Sequence, residues 1–137
     1  SNLALKTTYM KTSSELVELV EGLRRSIFSP TTIACPGTSG TCTARSEVSV
    51  DFGSNPTSDI LRVVYCRVIR GGIIAPTVAL PGQVDFTVQS GAAFAWIARG
   101  LPLGPSTINL QCVKGPNAPP GTVYAIQRTL TIDVYKP

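Results

Sequence analysis

Apolar and polar residues alternate through most of this chain, most densely from Glu47 to Tyr135. Val48, Val50 and Phe52 interleave with Glu47, Ser49 and Asp51, the period of two expected of a strand with one buried face. The pattern returns at Val84, Phe86 and Val88, set among Gln83, Asp85, Thr87 and Gln89. It returns again at Ile108, Leu110 and Cys112, set among Thr107, Asn109, Gln111 and Val113. Ile60 to Ile69 is a longer apolar run carrying Arg62 and Arg67. Ala92 to Ala98 holds Phe94 and Trp96, and Ile126, Leu130, Ile132 and Val134 close the domain. Turn-forming groups punctuate these runs: Gly53-Ser54-Asn55-Pro56, Gly71-Gly72, Pro81-Gly82, Ser90-Gly91 and the Pro-rich stretch from Gly115 to Gly121. Roughly eight to ten strands with a turn every 8–12 residues or so predict an all-β fold, a two-layer antiparallel sandwich of the jelly-roll kind.

The first 28 residues read differently. Asn2 to Met10 alternates, with Leu3, Leu5, Thr7 and Tyr9 on one face, and is a strand at a free terminus. Thr12 to Phe28 admits two readings. A capping box at Thr12 and Glu15, with Leu16, Leu19, Val20, Leu23 and Ile27 at helical spacing, suits a helix. Gly22 interrupts that helix, and in an otherwise all-β chain two short strands, Leu16–Leu19 and Leu23–Phe28, are the expectation.

With 137 residues, 43% of them hydrophobic and 15% charged, the chain is read as one domain over residues 1–137, without repeat or linker. No apolar run approaches the roughly 20 residues that span a bilayer as a helix. The opening Ser1-Asn2 fits either removal of an export signal or trimming of a tag.

Four cysteines allow three pairings. Cys35 and Cys42 bracket the turn-forming Pro-Gly-Thr-Ser-Gly-Thr and are expected to close as a clip. Cys66 and Cys112 each sit in a strand-like run and are expected to bridge across the sheet or sandwich. Disulfides imply an extracellular, cell-surface, virion-surface or periplasmic setting. The competing readings are reduced buried thiols, or a zinc site, which the spacings and the lack of histidine disfavour.

The absence of histidine removes Ser-His-Asp and Cys-His catalysis and histidine–metal sites. The eight carboxylates mostly occupy outward positions of alternating strands rather than a converging pair. Asp51 and Asp59 form no calcium-loop pattern, and no phosphate-binding glycine loop opens a helix. A non-enzymatic protein without cofactor or metal is therefore expected. The net charge of +4 comes from scattered Lys and Arg. Arg62, Arg67 and Arg70 could cluster, but a dense basic stripe with stacking aromatics is missing, so no nucleic-acid partner is expected. Trp96, as core packing or as a sugar-stacking platform, and Tyr124 beside Gly121 are the aromatic candidates for a ligand.

Gly100 to Cys112, Gly121 to Tyr124 and Arg128 to Val134 resemble the closing half of jelly-roll domains in bacterial and phage surface proteins. The likeness covers about Val48 to Tyr135. It departs from that pattern where Ser106, rather than a histidine, precedes Thr107. The resemblance implies an exposed structural or adhesive module and transfers no catalytic residue. Two functions are expected to compete. The first is a structural subunit that assembles with copies of itself outside the cell, as a filament, sheath or virion-surface layer. There, residues 1–10 would be donated as a strand to a neighbour's sheet, with Leu3, Leu5, Thr7 and Tyr9 filling its pockets. The second is a glycan-binding, lectin-like module using Trp96 and Tyr124.

Overall fold

A computed structural model describes residues 3–55, 60–78, 82–116 and 121–137. Eleven strands carry the alternation. They are β1 (Ala4–Ser13), β2 (Val17–Leu19), β3 (Arg25–Ser26), β4 (Thr31–Cys35), β5 (Cys42–Asn55), β6 (Arg62–Arg70), β7 (Ile73–Ile74), β8 (Gln83–Phe86), β9 (Gln89–Leu101), β10 (Gly104–Lys114) and β11 (Thr122–Lys136). They form two antiparallel sheets. In the first, β11 and β5 lie at the centre, with β9 on one side and β1 and β2 following one another along the other. In the second, β10 and β6 are central. Here β3 and β4 share the outer side of β10, and β7 and β8 share the outer side of β6. From β4 to β6, and again from β8 to β11, successive strands pass from one sheet to the other. The first and last long strands, β1 and β11, are neighbours. That order is a jelly roll.

The region from Thr12 to Phe28 takes the strand form: Thr12 and Ser13 finish β1, the two short strands are Val17–Leu19 and Arg25–Ser26, and Glu21 adds a single bridge to Lys114. Gly22 between them has φ +79, left-handed backbone that a helix interior does not accept. Leu16 and Leu23, the apolar residues that suggested longer runs, are exposed, while Leu19, Ile27 and Phe28 enter the core. Gly71 and Gly72 both have positive φ. This is the requirement of a two-residue hairpin turn whose twist matches its strands, here joining β6 to β7.

The inward side chains of both sheets form one core, led by Trp96, Phe52, Leu110, Ile108, Ile132, Leu19 and Ile33. Phe52 on the first sheet stacks across the layers on Phe86 of the second, 6.3 Å between centroids. Both bridges form as the spacing suggested. Cys35–Cys42 spans a Cα–Cα distance of 5.7 Å and ties the end of β4 to the start of β5, where the chain crosses between sheets. Cys66 and Cys112 stand opposite each other on β6 and β10, so that bridge lies within one sheet and points into the core.

Three register shifts correct the simple alternation, one of them between β5 and β9 at Cys42/Ala44. In β11 the pairing with β5 shifts between Ala125 and Arg128. Val123 and Ala125 point inward before the shift, and Arg128, Leu130, Ile132 and Val134 do so after it. Ile126 therefore leaves the inward set in which its spacing placed it. In β1 the shift lies between Leu5 and Thr7, with Lys6 as the extra residue.

Candidate functional site

The N-terminal strand pairs with its own chain. Ala4 to Ser13 run antiparallel to Lys136 to Arg128 along the edge of the first sheet. The bulge at Lys6 divides the face on which Leu3, Leu5, Thr7 and Tyr9 were grouped. Thr7 and Tyr9 oppose the buried Val134 and Ile132 and share their inward side, whereas Leu5 opposes Tyr135 on the outward side. Leu3 is exposed as well. Leu5, 55% exposed, and Met10, 67% exposed, leave an apolar margin on the outside of the strand. Thr8 lies between them and donates to the Asp133 carboxylate at 2.7 Å.

Tyr9 and Lys11 reach from this edge to the opposite sheet. The Tyr9 hydroxyl accepts the Ala34 amide at 3.0 Å, and its ring packs against the core. The Lys11 ammonium donates to the carbonyls of Ser29 at 2.9 Å and Pro30 at 3.3 Å, and to the Ser29 hydroxyl at 3.3 Å. A bulge and an inward-directed lysine are devices that discourage another chain from adding to a sheet edge. The edge is therefore built against casual pairing, while its outer surface remains apolar.

The corner between β1 and β2 is organised by a residue whose role the sequence reading missed. Arg128 is 5% exposed. Its guanidinium donates to the Glu15 carbonyl at 2.7 Å and to the carbonyls of Ile27 and Ile126, with a longer contact of 3.5 Å to Ala125. It also lies over the Phe28 ring, 5.5 Å from the centroid. Burial draws this guanidinium below the usual arginine range, and the nearby negative charge of Glu15 opposes that shift. The signal was present in the sequence: Arg128 falls two residues before Leu130 in a strand whose alternate positions are all buried. Beside it opens a cleft of about 390 Å³ between β1 and the Ser26–Pro30 segment.

The other candidates separate. Trp96, 1% exposed, is a core residue beside Phe94, ring centroids 5.6 Å apart, and presents no face to a sugar. Tyr124 is half-buried on β11 between Gly53 and Glu18. Arg62 points inward and donates to the Ile60 carbonyl at 2.9 Å and the Thr87 carbonyl at 2.8 Å. Arg67 bonds Gln111 at 3.2 Å on the outer face, so Arg62, Arg67 and Arg70 form no common patch. Arg67 lies close enough to Arg24 to add to the burial that lowers the Arg24 pKa. Among the described residues no group of three His, Cys, Asp or Glu side chains gathers as a metal site would require. Asp59 lies outside the described residues.

No known protein family matches the chain, and no curated protein sequence matches it. Among solved structures it is similar to a chain in the structure of infectious bursal disease virus, Gx strain. The TM-score is 0.46 and the identity 10%, over 97% of this chain and 38% of that one. The chain thus spans well under half the length of that viral chain. The expected two-layer sandwich is the fold observed, without a match to any family of bacterial or phage surface domains, and the two disulfides point to an oxidising, non-cytoplasmic setting.

Proposed function

We propose that this protein is a non-enzymatic structural subunit that assembles with copies of itself outside the cell, through its N-terminal strand. The observation that carries this reading is β1 itself. It is a ten-residue strand at the edge of the first sheet, paired along its length, among the described residues, with β11 and bearing exposed Leu5 and Met10. Such a strand can leave its own β11 and occupy the same place on a neighbour, keeping every main-chain bond. The connector Ser14–Leu16 is exposed and spans the bulge in β11, so straightening it gives up the Glu15 carbonyl's bond to Arg128 but moves no core side chain of the connector. The rest of the sandwich, stapled by two disulfides around a continuous core, would stay folded during the exchange. The glycan-binding alternative loses its principal residue with the burial of Trp96.

The test is to remove residues 1–10 and compare both proteins by light scattering and electron microscopy. The expected result is regular assemblies from the full chain and a folded monomer from the truncation. Assemblies of equal size and order from the truncated protein would refute the role of β1, and a monomeric full chain at high concentration would refute self-assembly.

A further inference from the structure

The cleft at the β1–β2 corner has an unusual charge arrangement. Two cations, Lys11 and Arg128, line it, and both are satisfied by neutral acceptors alone. Lys11 meets the carbonyls of Ser29 and Pro30 and the Ser29 hydroxyl. Arg128 uses its Nε and one terminal nitrogen, Nη1, for main-chain carbonyls. No carboxylate of a described residue lies within ion-pairing distance of either. Among the described residues the second terminal nitrogen of Arg128, Nη2, has no hydrogen-bond acceptor, although the residue is otherwise buried. Hydroxyls of Ser13 and Ser29 stand at the same opening. A guanidinium nitrogen with free N–H groups, an ammonium and flanking hydroxyls are the groups that recognise a planar or tetrahedral oxyanion.

We propose that this cleft is an oxyanion-binding site, taking a carboxylate or phosphate group between Lys11 and Arg128. The anion would meet the Nη2 hydrogens of Arg128 and partly neutralise a cation that the fold holds away from water. Glu15 lines the mouth of the same cleft with an exposed side chain. Its carbonyl serves Arg128, but its carboxylate would repel the incoming anion and so sets a ceiling on affinity. The site stands on its own geometry and does not require the assembly proposed above.

The experiment is a titration of inorganic phosphate, and separately of acetate, into the isotopically labelled full chain. Backbone amide resonances of Ser13, Phe28 and Ser29 and the Arg128 side-chain N–H would be followed. Saturable shifts confined to these groups are expected. K11Q should weaken binding and E15Q should strengthen it, each by roughly two- to fivefold, as partly exposed charges do. E15Q retains the carbonyl that Arg128 uses, so it changes the charge at the mouth without unpinning the corner. If the natural oxyanion is a carboxylate of a second copy, the same resonances will also move as protein concentration rises without added salt, and K11Q will suppress that movement. If it is a free anion, they will move only with the titrant. Shifts that never saturate, or affinities identical in the parent, K11Q and E15Q, would overturn the site.

Discussion

The two disulfides allow a sharp test of what stabilises this sandwich. All four sulfurs belong to buried residues, so replacing either pair by alanine removes comparable packing. The bridges differ in the loop each closes: Cys66–Cys112 spans 46 residues of sequence separation and Cys35–Cys42 spans 7. The chain-entropy relation gives about 4 kcal/mol for the long loop and about 2.4 kcal/mol for the short one. Their difference, about 1.7 kcal/mol, depends only on the logarithm of the loop-length ratio. Trp96 is the sole tryptophan and is fully buried, so its fluorescence reports loss of the core directly. Urea unfolding of the C66A/C112A and C35A/C42A proteins should therefore show the first less stable by about 1.7 kcal/mol. In thermal melts the gap should be about 5 °C for a domain of this size. The long-loop variant should also show the larger denaturant slope, because its unfolded chain exposes more surface. Equal losses, or a greater loss from the short clip, would refute the loop-entropy argument. Either result would mean that Cys35–Cys42 acts chiefly by holding the two sheets together where the chain crosses between them.

Two further substitutions probe the corner and the second sheet. Arg128→Met should destabilise the fold by about 3 kcal/mol, since the carbonyls of Glu15, Ile27 and Ile126 lose their donor. Hydrogen exchange should show β1 and β2 amides opening before the rest, and Arg128→Lys should recover little because its donors sit on a single nitrogen, whereas Arg128 reaches its carbonyls from two nitrogens of a planar group; uniform loss of protection would contradict a local role. Gly82→Ala should destabilise by about 1–3 kcal/mol, because a Cβ there would lie 2.4 Å from the Cys66 carbonyl oxygen, a backbone atom that accompanies the β6–β8 pairing; an unchanged melting temperature would show that this strand pair yields freely.

Much of the architecture is legible from residue order because it depends on short-range regularities. A period of two marks a half-buried strand wherever it lies, so Val48–Phe52 and Ile108–Cys112 could be assigned to faces without knowledge of their partners. Glycine pairs such as Gly71-Gly72 mark hairpins through backbone stereochemistry alone. Cys35 and Cys42 are close along the chain, and Cys66 and Cys112 both fall on inward positions, so their pairing was open to local reasoning too.

What only the tertiary structure decided are the features that arise where distant segments meet. The bulges at Lys6 and at Ile126-Gln127 follow from fitting β1, β2 and β5 against one long strand, and a single inserted residue reverses every later side chain. That is why Leu5 parts from Thr7 and Tyr9, and why Ile126 parts from Leu130. Trp96 could have served a surface or a core, and its place was set by the facing sheet. Arg128 becomes the centre of a corner only because Glu15 and Ile27, more than a hundred residues away in sequence, bring carbonyls to it. The alternation of side chains was written in the sequence, whereas the partners that satisfy a buried charge come from long-range packing that no local pattern specifies.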